Sequence, residues 1–322
     1  MVTESRPSEA RAVGLRDTAE PGRAAAPPPP RTRGGSRALR HTYSSLFYLP
    51  AGIIYAVIFI VPTVMSFYFA FTRWTLFDAK FTGLDNFRQF FSEQALRSGL
   101  WHTVVYAVVT SGLKVVLGML LAVLLTSSIR VRGLLRSLVF FPVLVSTVAV
   151  GITFSVLLAP DTGLVDTVLK WFEITGPDWL GSPTTALLSV ALVDVWKGVG
   201  LATVIYIAGV LSIPQDYYEA VDVDGGGAWQ KFRNVTLPLS RPATFTVILL
   251  SFIGGLRSFD LIWTMTKGGP GFSSDVIASV IYKEYQAGFF GLATAGNVIL
   301  FILVTVIVYP LFRYFNSKEV DL

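Results

Sequence analysis

The stretch from Trp101 to Ser127 reads WHTVVYAVVTSGLKVVLGMLLAVLLTS. It holds one lysine, one histidine and no acid. A helix needs roughly 20 apolar residues to cross the hydrocarbon core of a bilayer, whereas a membrane strand needs about 10 and alternates in polarity. This run is too long for a strand and apolar all round, so it predicts a membrane-spanning helix. Outward from it lie five more such runs, at about Leu46–Thr72, Ser137–Leu158, Thr184–Leu211, Ala243–Thr266 and Leu292–Phe312. The predicted fold class is all-α, a polytopic membrane protein with six transmembrane helices.

Composition agrees. Of 322 residues, 52% are hydrophobic and 15% charged, and the mean hydropathy is +0.59. Soluble domains carry about 25% charged residues, so this chain has too little charge to cover its surface in water. The absence of cysteine excludes a disulfide scaffold, iron–sulfur clusters and zinc–thiolate sites. Two histidines, His41 and His102, are too few for a histidine-rich metal centre. The net charge of +5 does not point to nucleic acid, because the basic residues sit at the edges of the spans.

Those basic residues orient the chain. Sixteen lie in the N-terminal tail, the loop with Arg130, Arg132 and Arg136, the loop with Lys231, Arg233 and Arg241, and the end with Arg313 and Lys318. Seven lie on the other side: Arg73, Lys80, Arg88, Arg97, Lys170, Lys267 and Lys283. The richer side stays inside, so both termini are expected in the cytoplasm of a multi-pass cell-membrane protein. Residues 1–45 carry eight arginines and the run Pro27–Pro30; they predict a disordered cytoplasmic tail. No short apolar region with a small-residue cleavage site follows, so the tail is not a secretory signal. Residues 46–322 form the expected transmembrane domain.

The loop at 212–242 reads SIPQDYYEAVDVDGGGAWQKFRNVTLPLSRP. Pro214 suits a helix start. Tyr217, Tyr218, Ala220 and Val221 give a short helix an apolar face beside Glu219 and Asp222. Gly225–Gly227 end it and permit a sharp turn, and a second short helix carries Trp229, Phe232 and Val235. Such a cytoplasmic helix–turn–helix is either a docking element for a soluble partner or an interfacial pair lying on lipid headgroups.

This loop resembles the EAA motif of inner-membrane permease subunits of binding-protein-dependent ABC importers. Glu219, Ala220, Asp224, Gly225, Phe232, Leu237, Pro238 and Pro242 stand in register with that pattern. Val221 and Gly226 replace two of its alanines. The resemblance implies the type I ABC importer permease fold and a coupling helix seated in a cleft of an ATPase subunit. Gly268, Gly269 and Pro270, about 30 residues on and on the opposite face, resemble the carbohydrate branch, that of the maltose, glycerol-3-phosphate and multiple-sugar permeases. The outer loop with Phe81, Gly83, Asn86 and Phe87 is similar to that branch too. The likeness runs over about residues 45 to 315.

Five ionisable residues fall inside spans: Lys114, Asp194, Lys197, Arg257 and Asp260. Such residues are costly in a bilayer and face a cavity or another helix. Asp194 with Lys197, and Arg257 with Asp260, are spaced i, i+3, so each pair can neutralise itself on one helical face; Lys114 is expected to snorkel or meet a neighbouring helix. The other reading places these residues along a substrate path. The resemblance to the maltose-type permeases carries sugar contact onto Asp194, Trp196, Lys197, Gly198 and Leu201, and onto Ser251, Gly254, Gly255 and Ser258. Bulkier family residues are glycines and serines here, so either a larger substrate fills the space or a sister subunit holds the sugar.

No Walker-type loop, G-x-S-x-G or H-E-x-x-H occurs, so an enzyme is not expected. The resemblance implies a permease subunit that moves a di- or oligosaccharide into the cytoplasm. Its implied partners are a second permease, an ATPase dimer that holds the ATP and magnesium, and an extracytoplasmic sugar-binding protein; no cofactor belongs to this chain. The alternatives are an ion-coupled secondary transporter, expected to show inverted repeats and broken helices, and a polytopic lipid-modifying enzyme, expected to gather carboxylates or histidines at one interface.

Overall fold

The computed structural model describes residues 45–75, 77–160 and 162–317. The expected disordered tail, and Lys318 at the other end, lie outside the described residues. The chain divides into two units, at Tyr55 and Ala56. Of the first, a short 3-10 turn at Ser45–Tyr48 and helix α1 (Leu49–Tyr55) are described, with no buried side chain in α1. The second begins with a π-helical stretch at Ala56–Ile60 and α2 (Val61–Ala70).

A two-stranded antiparallel hairpin follows, β1 (Thr72–Trp74) and β2 (Ala79–Phe81), then α3 (Asp85–Ser92). The long α4 (Gln94–Thr126) leads to α5 (Arg132–Leu144), α6 (Thr147–Leu157) and α7 (Leu164–Trp171). After α8 (Ala186–Leu211) come α9 (Gln215–Val223), α10 (Ala228–Lys231), a π-helical stretch at Phe232–Thr236 and α11 (Leu237–Leu239). The chain ends with α12 (Arg241–Leu256), α13 (Asp260–Met265), α14 (Ile277–Gln286) and α15 (Phe290–Asn316).

Four helical stretches are long and apolar enough to cross a membrane: Leu49–Ala70, Gln94–Thr126, Ala186–Leu211 and Phe290–Phe315. Six result if each of two bent pairs counts as one span. The 98° bend lies inside the run expected at Ser137–Leu158, and the 67° bend lies just before the run expected at Ala243–Thr266. The pair α5 and α6 turns by 98°, where Val145 takes extended backbone and Ser146 also leaves the helical region, three residues after Pro142 removes a helical N–H. The segment Ala228–Leu239 meets α12 at 67°. In addition α12 stops at Leu256, and residues 257–259 are non-helical before α13.

Packing explains which face of each span turns inward. The buried side chains of α4 include Gly99, Thr103, Tyr106, Ala107, Thr110, Ser111, Lys114, Gly118 and Ala122. Its exposed ones include Val108, Val116, Leu120 and Leu124. Small and polar residues face the protein and branched apolar ones face out, as expected where lipid is the solvent. A β-carbon on Gly118 would come within 2.9 Å of Ala202 Cβ on α8. Thus α4, α8 and α12 form the centre of the second unit.

The expected loop appears as α9, a turn and α10. Gly225 has φ +73°, a left-handed conformation that glycine adopts without penalty. The N–H of Gly225 donates to Asp222 O at 3.0 Å and that of Gly226 to Val221 O at 2.8 Å, closing α9.

Candidate functional site

The sequence-predicted residues fall into two regions. The first is the α9–α11 loop, beyond the C-terminal ends of α4 and α8. None of α9 is buried; Glu219, Ala220 and Asp224 are exposed, Val223 is 88% exposed and Trp229 67%. Helix α9 is acidic, with Asp216, Glu219 and Asp222, and Asp224 caps its end. Lys231 pairs with Asp222 at 2.7 Å across the turn, and Tyr218 Oη lies 3.2 Å from Thr236 Oγ1. These contacts brace the two limbs. Phe232 points inward and packs against the cluster of Met119, Tyr206 and Val247, so it joins the exposed loop to the core of the spans. Leu237 and Pro238 form the one-turn α11 on the return. A cleft of about 590 Å³ lies behind α9, lined by Thr126, Ser127, Tyr218, Lys231 and Phe232 among others.

The second region lies in the interior, where α4, α8 and the end of α12 meet. Lys114 Nζ donates to Asp194 Oδ2 at 2.7 Å, with side chains 9% and 20% exposed. The expected Asp194–Lys197 self-neutralised pair is therefore corrected: the partner of Asp194 is on a different helix, 80 residues away in sequence. Gly198 makes this possible, since a β-carbon there would lie 2.6 Å from Lys114 Cε. The glycine leaves room for the lysine stem. The Arg257–Asp260 pair is corrected as well, because the non-helical residues 257–259 remove the i, i+3 geometry.

Tyr106 belongs to this cluster, although the sequence reading did not single it out. It is 1% exposed, its hydroxyl has no hydrogen-bond partner, and it lies within electrostatic reach of Asp194 and Ser258. The available signal was the polar stripe Tyr106, Thr110 and Lys114, spaced i, i+4, i+8 on one face of an otherwise apolar helix. Thr110 turns its own hydroxyl back to Tyr106 O at 2.8 Å.

Of the remaining residues of the expected path, most do not converge on this cluster, and Ser258 does. Trp196 is 43% exposed and packs on Phe154 of α6, ring centroids 5.1 Å apart. It shares a cleft of about 380 Å³ with Phe154, Trp179 and Ser189. Lys197 is half-buried and Leu201 exposed. On α12, Gly255 is buried; a β-carbon there would come within 2.7 Å of Ala107 Cα, so it serves close approach to α4. Gly254 faces open space, and Ser251 is half-buried. Ser258 sits in the break after α12, next to Tyr106.

The Gly268–Pro270 turn lies at the N-terminal end of α4, opposite the α9–α11 loop, and is cross-braced. Asp275 is fully buried; it accepts from Ser279 Oγ at 2.7 Å and from Lys283 Nζ at 2.6 Å. His102 Nδ1 lies 3.0 Å from Asp275 O, which gives this histidine a structural partner. Thr103 Oγ1 accepts from Ile277 N at 2.8 Å. Asn86 Nδ2 donates to Ala70 O and Thr72 O, both at 2.9 Å, pinning the outer loop to the end of α2. On α14, Glu284 has its carboxyl pushed above the usual range by burial and, secondarily, by the Glu93 carboxylate.

The pattern of the family described as "Binding-protein-dependent transport system inner membrane component" matches residues 114–319. The chain is 31% identical over 261 residues to the trehalose/maltose transport system permease protein MalF of Thermococcus litoralis, covering 80% of this chain and 88% of that one. It is 34% identical to the probable ABC transporter permease protein y4oQ of Sinorhizobium fredii, over 88% and 94%. It is 27% identical to the arabinooligosaccharides transport system permease protein AraP of Bacillus subtilis, over 81% and 85%. Among solved structures it superposes on a chain of a bacterial alginate ABC transporter, crystallised with an alginate pentasaccharide-bound periplasmic protein. The TM-score is 0.73 at 24% identity, covering 83% of this chain and 92% of that one, a likeness of fold. The chain belongs to the binding-protein-dependent transport system inner membrane components, the permease subunits of ABC transporters, and has their all-helical type I fold.

Proposed function

We propose that this permease subunit carries a neutral di- or oligosaccharide into the cytoplasm, with a sister permease completing the pathway. A separate ATPase dimer supplies ATP and magnesium chemistry, and an extracytoplasmic binding protein delivers the sugar. The observation that carries this reading is the exposed, internally braced α9–α11 loop, anchored by Phe232 in the core of the spans. It is built to receive a push at one end and pass it inward. Relatives named for trehalose/maltose and for arabinooligosaccharides support a sugar as the cargo.

In this reading residues 1–45 are a cytoplasmic tail, residues 46–322 the permease domain, and both termini are cytoplasmic. Glu219, Ala220, Asp224 and Gly225 form the docking surface, and Phe232, Leu237 and Pro238 the return limb. The transport step is a rigid-body change of the spans that alternates access to an intramembrane site. Asp194 and Ser258, with Lys114 holding the carboxylate, supply hydrogen-bonding groups of that site. Trp196, Lys197, Gly198, Leu201, Ser251, Gly254 and Gly255 shape the walls of the path around it. Helix breaks at 145–146 and 257–259 are also a mark of ion-coupled carriers; family membership, not the breaks, separates the two classes here.

The test is uptake of radiolabelled maltose, trehalose and arabino-oligosaccharides in a deletion strain, with and without this gene. Restored uptake of one of them supports the reading. Equal, negligible uptake of all three in both strains overturns it.

A further inference from the structure

The polar cluster contains one group that the packing of this chain leaves unexplained. The Tyr106 ring is fixed in a core with Val190, Val193, Leu261 and Ile262. A phenylalanine would fill the same volume there, so only the hydroxyl distinguishes the tyrosine. Buried side-chain polar atoms nearly always have a partner, and each exception needs a cause. Here the hydroxyl makes no well-aligned hydrogen bond, although Asp194 of α8 and Ser258 lie close enough to interact with it. Ser258 is in the non-helical break, where its side chain is not confined to a helical face.

Three elements thus bring polar groups to the neighbourhood of the Tyr106 hydroxyl. Asp194 is an acceptor whose Oδ2 is occupied by Lys114 at 2.7 Å. Tyr106 and Ser258 are hydroxyls that donate and accept. The two formal charges of the cluster, on Lys114 and Asp194, cancel, so an ionic ligand gains little from it. A sugar hydroxyl, neutral and both donor and acceptor, satisfies such a set.

We propose that the Tyr106 hydroxyl is a specificity-determining group of the intramembrane site, hydrogen-bonding one hydroxyl of a neutral sugar alongside Asp194 and Ser258. The assignment rests on the sugar-permease reading and adds to it a residue from α4. A site built to hydrogen-bond a hydroxyl rejects the analogue that lacks it. One neutral hydrogen bond corresponds to about three- to tenfold in affinity.

The experiment uses the whole transporter in liposomes: this chain with its sister permease, ATPase and binding protein. Transport KM is measured for wild type and Tyr106→Phe with whichever of maltose, trehalose or arabino-oligosaccharide the wild type carries, and with its monodeoxy analogues. The expected result is a KM about three- to tenfold higher in Tyr106→Phe. One monodeoxy analogue should be correspondingly worse than its parent in wild type and equal to it in the variant. The melting temperature of the assembled complex should hold or rise, since an unpaired buried hydroxyl has been removed. An unchanged KM, or the same deoxy penalty in both proteins, overturns the assignment. A sharp fall in melting temperature also overturns it, because the hydroxyl would then have a structural partner. A wild type that carries none of the three sugars overturns the sugar reading first and this assignment with it.

Discussion

Cγ1 of Val221 occupies the space that a β-carbon on Gly226 would need, and the carbonyl of Val221 accepts the Gly226 N–H at 2.8 Å. These are the two positions at which the loop departs from the EAA pattern, where both are alanine. The two departures are therefore one change made in two places: volume added to the helix and removed from the turn. Overpacking a tight contact costs about 1–3 kcal/mol. Gly226→Ala alone should lower uptake and the yield of assembled complex, while Val221→Ala with Gly226→Ala should recover both. A double variant as impaired as the single one would show that the positions act independently.

Gly225 carries the left-handed turn at φ +73°, and its N–H closes α9 on Asp222. Proline fixes φ near −65° and has no N–H, so Gly225→Pro should collapse the turn. ATP hydrolysis should then persist without sugar uptake, in membranes that contain normal amounts of the protein. Charge reversal at the exposed Glu219 should give the same separation. Wild-type uptake by both variants would refute docking through this loop.

The ion pair between Lys114 and Asp194 makes a three-way comparison possible. Removing one partner of a buried pair costs about 3–5 kcal/mol, because the other charge is stranded. Lys114→Ala should therefore destabilise the complex more than Lys114→Ala with Asp194→Ala. Pairing Asp194→Ala with Lys197→Ala should give no such relief, since Lys197 is not the partner. Thermal melting of the purified complex measures all three; relief through Lys197 instead would contradict the observed pairing.

Much of this was legible in the sequence, and the failures have physical causes. Span lengths and the turn at Gly225 follow from local chemistry, and both were found where expected. The partner of Asp194 was not, because i, i+3 spacing is visible in a sequence and an 80-residue separation is not. The bend inside the third span and the break inside the fifth are not legible for a related reason. Hydropathy records how long an apolar run is, but it is blind to two non-helical residues at 145–146 or three at 257–259. Tyr106 was overlooked because an aromatic inside an apolar run reads as packing, and only the position of its oxygen says otherwise. Phe232 illustrates the converse: its motif position was clear, while its burial against Met119 and Tyr206 required the fold.

Glu284 gives a pH dependence of definite sign. Its carboxyl is raised in the folded protein, so the neutral form is favoured there. The associated stability is present below the ordinary carboxylate pKa and is lost as pH rises through the raised value. Melting temperatures of wild type and Glu284→Gln should accordingly diverge as pH rises above the ordinary carboxylate range, about pH 4, the variant being the more stable at the higher pH. Parallel curves would show that burial of Glu284 has no bearing on folding.

Orientation can be checked directly. A cytoplasmic reporter fused after Arg233 should be active and one fused after Lys170 inactive, as the sixteen-to-seven distribution of Lys and Arg requires. Reversed activities would invert the whole topology.

The 67° bend at Ser240 turns the return limb into a bell crank. One arm, Ala228–Leu239, follows directly on the braced turn; the other is α12, whose far end opens into the break that holds Ser258. Ser240 is the buried pivot, 1% exposed, and its carbonyl accepts from Thr244 Oγ1 at 3.1 Å. The 16 residues of α12 make an arm of about 24 Å, so tilting it by about 5° carries its tip about 2 Å. That is enough to make or break a hydrogen bond at Ser258. In the proposed transport step, a small rotation of the return limb thus becomes, without any change inside the helix, an atomic-scale displacement at Ser258.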